Sequence, residues 1–187
     1  MLVSDIVRRN ARFFGNDDAV VVPGGLTRTW LELDVRTNKF ANALLDLGLT
    51  KGDRIAVYAP NCGEYVDFFF ACAKSGVVGA ATNIRLAPYE IGSYLSYVDP
   101  TAVLVHADLL DQAHKWLPDV PSAKHIIGFG GDHGIDLDLE TLIAARSTED
   151  PVLDIQDRDL YQLGATSGTT GIPQAALLTQ RNAIAAV

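Results

Sequence analysis

The sequence has no run of basic residues and no long apolar segment. Its 15 lysines and arginines are outnumbered by 23 aspartates and glutamates, which gives a formal net charge of −8. Binding to nucleic-acid phosphates needs a concentrated basic face, so we expect no nucleic-acid partner. No stretch of about 18 apolar residues occurs, and a membrane-spanning helix needs roughly that length. We therefore expect no transmembrane segment.

Cysteine is scarce, and its spacing is uninformative. The only two cysteines, Cys62 and Cys72, form no Cys-x-x-Cys motif, which is typical of free thiols in a reducing compartment. The four histidines have no metal-ligand spacing, so we predict no metal site. The first residues, Met1-Leu2-Val3-Ser4-Asp5, lack the basic and apolar regions of a secretory signal. These absences predict a cytoplasmic location.

The chain does contain the pattern of an ordinary globular domain, with 48% hydrophobic and 20% charged residues. Short apolar runs at residues 55–59, 77–82 and 102–105 alternate with segments of helical period. The first two runs enclose one such helix, which Gly76 ends, and together they make a βαβ unit. This alternation predicts an α/β fold with a mostly parallel sheet flanked by helices on both faces.

Local signals predict where several elements begin. Pro23-Gly24-Gly25 lies between two β-prone runs and predicts a hairpin. Thr29 and Glu32 have the spacing of a capping box for the next helix. Asn61 is predicted to cap the helix that follows it. Pro88 is predicted at the first position of a further helix.

Residues 4–14 have the spacing of a short helix, and Gly15 follows as a stop. Apolar residues on roughly one side of that helix predict a buried stripe. The members of the predicted stripe are Ile6, Val7, Ala11, Phe13 and Phe14.

Residues 166–171 concentrate glycine and hydroxyl side chains in six consecutive positions. Glycine allows backbone N–H groups to approach a ligand closely, and a turn lined with such groups favours an anion. Each hydroxyl can donate a further hydrogen bond, so the expected ligand is a polyphosphate. An ordinary surface loop is the alternative that composition alone allows. The segment is neither a Walker A loop nor a nucleophile elbow.

The order Thr166-Ser167-Gly168-Thr169-Thr170-Gly171-Ile172-Pro173 resembles the phosphate-loop signature of the AMP-forming acyl-CoA synthetase, or adenylate-forming, superfamily. Three more segments match in register: Gly52-Asp53-Arg54, Pro60-Asn61 and Asn83-Ile84-Arg85-Leu86. The resemblance implies the N-terminal portion of the large domain of such an enzyme. Residues 1–150 are expected to form an α/β layer. Residues 151–187 are expected to form a connection, the phosphate-loop strand and the segment after it.

The resemblance also implies a chemistry. A carboxylate, expected to be a fatty acid from similarity to bacterial fatty-acid–CoA ligases, attacks the α-phosphate of ATP and gives an acyl-adenylate and pyrophosphate; CoA thiol then displaces AMP. Sites for Mg²⁺ and CoA are expected outside this chain, and no catalytic residue is expected within it. The residues implied to contact ATP are Thr166, Ser167, Gly168, Thr169, Thr170, Gly171 and Gln174.

Two positions depart from the family pattern, because Gln174 and Gln180 stand where the pattern has lysine and histidine. Gln174 can donate a hydrogen bond but supplies no positive charge, so we expect altered or weakened ATP binding. An alternative stays open: a non-catalytic or degenerate domain that binds nucleotide weakly or binds a partner protein. Since members of the superfamily extend far beyond the phosphate loop, the chain alone is expected to be inactive. It is also expected to self-associate through exposed apolar surface.

Overall fold

The computed structural model describes residues 1–165 and 175–186. The strands are β1 (Asp18–Val21), β2 (Thr27–Thr29), β3 (Arg54–Tyr58), β4 (Val78–Ala81), β5 (Ala102–His106), β6 (His125–Phe129), β7 (Leu137–Asp138), β8 (Leu160–Ala165) and β9 (Ala175–Thr179). The helices are α1 (Ser4–Phe14), α2 (Trp30–Asp46), α3 (Glu64–Ser75), α4 (Pro88–Val98), α5 (Leu110–Ala113), α6 (Leu139–Ala144) and α7 (Gln180–Ala185).

Seven of the strands form one sheet in the order β7-β6-β5-β3-β4-β8-β9, and β1 pairs with β2 in a separate hairpin. Within the seven-stranded sheet β8 and β9 are antiparallel, and every other pair is parallel. At the centre, Ile55 of β3 is level with Gly79 of β4 and Ala102 of β5. The predicted mostly parallel sheet is therefore confirmed.

Helices cover both faces of the sheet, as a parallel sheet requires. Alternate residues of β3 point to opposite faces, so Ile55 joins the core cluster that contains residues of α2, α3 and α6, while Tyr58 joins the cluster that contains residues of α4. On the second face the Tyr58 ring meets Trp116 edge to face, with ring centroids 5.2 Å apart. The sheet is thus the middle layer between two cores.

Most of the local signals are confirmed. The Thr29–Glu32 capping box is formed, with the Thr29 N–H donating to the Glu32 carboxylate over 2.8 Å. Pro88 occupies the start of α4. The prediction for Asn61 is wrong, because α3 begins at Glu64 and no side chain caps it. Leu26 of the hairpin packs against Gly63, the residue before α3. This contact is tight, because a Cβ added to Gly63 would lie 2.6 Å from Leu26 Cδ2.

Helix α1 has the predicted bounds, but its predicted buried stripe is wrong at the C-terminal end. Val7 is fully buried with Val20 and Leu33, whereas the side chains of Phe13 and Phe14 are 64% and 52% exposed. Phe13 lies six residues beyond Val7, which in an α-helix turns it about 120° from the buried side. The end of α1 therefore presents aromatic rings to solvent.

Buried charges join α3 to α2 and to the hairpin. Asp67 and Lys74, seven residues apart on α3, are both fully buried. Arg28 donates from Nη1 to both Asp67 oxygens over 2.7 and 2.8 Å, and Arg36 Nε donates to Oδ2 over 2.7 Å. Lys74 Nζ donates to Asp34 Oδ1 over 2.6 Å. Burial raises the pKa of the Asp67 carboxyl, while the two guanidinium groups oppose that rise.

We expect Asp67→Ala to lower the free energy of unfolding by about 3–5 kcal/mol, because it leaves two largely buried guanidinium groups without their shared carboxylate. Chemical denaturation of the 187-residue chain measures this loss. Asp46→Ala is the matched control, since it removes an exposed carboxylate paired with Arg146 and should cost less than about 1 kcal/mol. Equal losses in the two variants would contradict the role assigned to Asp67.

Candidate functional site

The carboxyl ends of β3, β4 and β8 meet at one edge of the sheet. Ala81 of β4 is level with Val57 of β3 on one side and Gly164 of β8 on the other. The chain leaves β3 through residues 59–61 and leaves β4 through residues 82–83. Open parallel sheets bind ligands beyond this edge, so it is the place to look for a site.

A cavity of about 390 Å³ opens at this edge, and we call it the strand-end pocket. Its polar groups are amide, phenol, hydroxyl and guanidinium side chains, and Arg85 supplies a positive charge. Such a mixture suits a ligand that carries both anionic and hydrogen-bonding groups. The lining residues are Ala59, Pro60, Asn61, Tyr65, Thr82, Asn83, Ile84 and Arg85.

Two hydroxyl groups in the strand-end pocket differ in their bonding. Tyr65 donates to the carbonyl of Ala59 over 3.3 Å, and burial raises the pKa of Tyr65 to about 12, so its hydroxyl is neutral at physiological pH. Thr82 is only 4% exposed, and its Oγ1 has no hydrogen-bond partner in the described part of the chain. Because a buried polar atom normally has a partner, the Thr82 hydroxyl is suited to a ligand contact.

Cys62 precedes α3, close in sequence to the pocket residues Asn61 and Tyr65, but it is no nucleophile. Burial, together with the nearby Glu64 carboxylate, raises the pKa of its thiol to about 11. The thiol is therefore protonated near neutral pH, whereas nucleophilic attack needs the thiolate.

The residues predicted to contact ATP lie outside the described ranges, 1–165 and 175–186. They are Thr166, Ser167, Gly168, Thr169, Thr170, Gly171 and Gln174. The structure does place both ends of this segment. Ala165 at the end of β8 pairs with Ala175 at the start of β9, and β8 lies beside β4. The segment therefore leaves and rejoins the sheet at the same edge as the strand-end pocket.

The base of the β8–β9 hairpin is fixed by the acidic connection that precedes it. The backbone N–H groups of Gln180 and Arg181 donate to the carbonyls of Asp159 and Asp157 over 3.0 and 2.8 Å. The Arg181 guanidinium also pairs with the Asp157 carboxylate at 2.6 Å, and Lys51 pairs with Asp159 at 2.5 Å. These contacts attach the hairpin at the end opposite the predicted phosphate loop.

Gln180 is a structural contact that sequence reasoning missed. Its side chain is buried, and Oε1 accepts a hydrogen bond from the Val3 backbone N–H over 3.0 Å. Val3 packs in a small core with Tyr161 of β8, which Ile184 of α7 also contacts. The Thr179 capping box, which puts Gln180 at the first position of α7, was the only signal in the sequence. No signal in the sequence identifies its partner Val3, which lies 177 positions away.

Another cavity lies away from this edge of the sheet, but its arginines are not free for a ligand. The largest cavity described, about 620 Å³, lies between the hairpin, α2 and α6, and its two arginines are already paired with Asp67 and Glu140. Within residues 1–165 and 175–186, no three His, Cys, Asp or Glu side chains are grouped so that they could hold a metal ion. None of the helices in those residues has the length and apolar character needed to cross a membrane.

Comparison with known proteins gives one consistent family. The family model for AMP-binding enzymes matches residues 7–187. The acyl-CoA ligase sidI of Beauveria bassiana is 29% identical over 188 residues, covering 91% of this chain and 31% of the relative. The medium-chain-fatty-acid–CoA ligase of Ectopseudomonas oleovorans is 27% identical over 196 residues, covering 98% and 36%. The chain spans about a third of the length of these curated relatives.

A solved structure supports the same fold. The chain superposes on a protein of Rhodopseudomonas palustris assigned as a long-chain-fatty-acid CoA ligase, with a TM-score of 0.90 and 28% identity. The alignment covers 100% of this chain and 46% of that one. The predicted architecture is confirmed at the level of the whole described chain.

We expect Gln180→Met, which keeps the side-chain length but removes the acceptor, to lower the free energy of unfolding by about 1–3 kcal/mol, because the Val3 N–H stays buried without a partner. Denaturation of the 187-residue chain measures the change. Gln156→Met is the control, since Gln156 is exposed in the same region and its replacement should cost less than about 0.5 kcal/mol. If the two variants are equally stable, the Gln180 contact contributes nothing.

Proposed function

The chain belongs to the family of AMP-binding enzymes, and from this premise we propose that it is the ATP-binding N-terminal portion of an acid–CoA ligase. In the proposed reaction a carboxylate oxygen bonds to the α-phosphorus of ATP and pyrophosphate leaves. The CoA sulfur then bonds to the acyl carbon and AMP leaves. The observation that carries the proposal is the pairing of Ala165 with Ala175, the residues on either side of the predicted loop, at the ligand-binding edge of the sheet that also holds the strand-end pocket.

We propose a fatty acid as the carboxylic acid. Two of the similar proteins bear names of fatty-acid–CoA ligases, one for medium-chain and one for long-chain acids. We also propose a cytoplasmic location. It is supported by the two cysteines, which are free thiols rather than a disulfide.

The proposed ATP contacts are the backbone N–H groups and hydroxyls of Thr166, Ser167, Gly168, Thr169, Thr170 and Gly171, with Gln174 as a neutral donor. Arg85 and the Thr82 hydroxyl, which has no partner among the described residues, offer additional donors to an anionic ligand at the same edge. We also propose that Mg²⁺ binds to residues outside this chain. CoA is likewise proposed to bind mainly outside it.

A second candidate, a degenerate domain that binds nucleotide weakly, depends on Gln174 alone. The other departure from the family pattern, Gln180, makes a buried hydrogen bond to the backbone of the N-terminal segment and so has a structural use in this fold. Gln180 therefore does not favour the degenerate domain over the active ligase. The two candidates therefore differ in one measurable quantity, the affinity of the loop for ATP.

Titration of MgATP into the chain by calorimetry tests the loop. We expect the chain to bind MgATP, and the double variant Thr169→Ala with Thr170→Ala to lose this binding. Gln174→Lys should tighten the binding about 5- to 30-fold, because a charged hydrogen bond to phosphate is roughly twice as strong as a neutral one. Gln156→Lys adds the same charge on the exposed connection and should leave the affinity unchanged. Equal affinities for the chain and Gln174→Lys would count against the proposed ATP contact.

We further propose that the chain self-associates through strand β9, which is the last strand of the sheet. Leu177 on this strand is 64% exposed, and it lines a largely apolar groove of about 210 Å³ with Tyr97 of α4 and Leu160 of β8. An edge strand with exposed apolar side chains pairs readily with another copy.

Sedimentation velocity at several protein concentrations tests this interface. We expect a concentration-dependent dimer, and we expect Leu177→Lys to give a monomer because a charge on an edge strand opposes pairing. Val152→Lys is the control, since Val152 is also exposed but lies in the connection before β8. A monomer at every concentration, or equal effects of the two lysines, would refute the interface.

A further inference from the structure

The exposed side of α1 carries an unusual combination of arginine and phenylalanine. Arg9, Arg12 and Phe13 are spaced i, i+3 and i+4, which places them on one face of the helix. With Asp5 and Arg8 they line a shallow cavity of about 320 Å³. We call Arg9, Arg12 and Phe13 the α1 surface.

The two arginines of the α1 surface have free donors, unlike their neighbour. Arg8 is held by the carboxylates of Asp150 and Asp5. Arg9 and Arg12 form no hydrogen bond or ion pair with any residue in the ranges 1–165 and 175–186. The Arg12 guanidinium instead stands over the Phe13 ring, 5.5 Å from its centroid.

Apolar exposure accompanies this positive charge. The Phe13 and Phe14 rings are both largely outside the core, and Arg12 adjoins them in sequence. Asp17 and Asp18, the next carboxylates along the chain, follow Gly15 beyond the end of the helix. The helix thus presents two rings and two cations that have no ion-pair partner in residues 1–165 and 175–186, on a protein whose net charge is −8.

The charge and polarity of the α1 surface define its partner. Guanidinium groups donate paired hydrogen bonds to phosphate oxygens, so the arginines fit a layer of anionic phosphates. Aromatic rings are favoured where a polar layer meets an apolar one. A phospholipid headgroup layer over acyl chains offers both within a few ångströms, whereas a free anion offers no contact for the rings.

We propose that the α1 surface docks the protein on anionic phospholipid bilayers, with Arg9 and Arg12 at the headgroup phosphates and Phe13 at the boundary with the acyl chains. The inference stands on α1 alone and does not require the proposed ligase activity. If that activity holds, docking brings the enzyme to a phase in which fatty acids are dissolved.

Sedimentation of the 187-residue chain with lipid vesicles tests the proposal. We expect the chain to partition onto vesicles that contain phosphatidylglycerol, to stay in solution with phosphatidylcholine alone, and to be released as salt is added. Arg9→Gln with Arg12→Gln should weaken the partition coefficient about 30-fold, from about fivefold for each arginine near an anionic surface. Phe13→Ser should weaken it independently of salt.

Lys124→Gln with Arg158→Gln is the matched control, because it removes the same charge from exposed positions elsewhere and should leave binding unchanged. Circular dichroism of each variant checks that it is folded. Three results would overturn the proposal: equal partitioning onto neutral and anionic vesicles, no partitioning onto anionic vesicles, or the same loss of binding in the control as in the Arg9 and Arg12 variant. So would full competition by soluble glycerol phosphate, which would indicate an isolated anion site.

Discussion

The contact between α2 and α3 is the constraint on which the rest of the structure depends. Helix α3 links β3 to β4, the two strands whose ends form the strand-end pocket, so its position sets where those strands end relative to each other. Apolar packing alone would allow α3 to slide or rotate against α2. Asp67 and Lys74 oppose this, because each is buried and must meet its partner on α2 to offset the cost of leaving water.

The same reasoning extends to the hairpin that bears the predicted phosphate loop. Its far end is attached by backbone hydrogen bonds to the acidic connection and by the Gln180 contact to the N-terminal segment. Its near end is attached by the parallel pairing of β8 with β4. A polyphosphate loop works through oriented N–H groups. The described contacts fix Ala165 and Ala175, the two residues from which the predicted loop would have to be held.

Sequence reasoning succeeded where the cause of a structure is local. The Thr29 capping box, Pro88 at the start of α4 and Gly76 at the end of α3, where φ is +72°, each follow from a few neighbouring residues. It failed where the cause is distant: Leu26 packs on Gly63 beside the start of α3, and the partner of Gln180 lies at the other end of the chain. The buried role of Asp67 was missed for the same reason. A carboxylate on an apolar helix is informative only once its arginines are known to converge on it.

The two departures from the family pattern have different physical weight. At position 180 the fold requires a buried acceptor for the Val3 N–H, and a glutamine oxygen provides it just as an unprotonated imidazole nitrogen could. At position 174 lysine would supply a full positive charge that no amide can replace, and a triphosphate carries several negative charges. Of the two departures, only Gln174 therefore supports the expectation of weaker ATP binding.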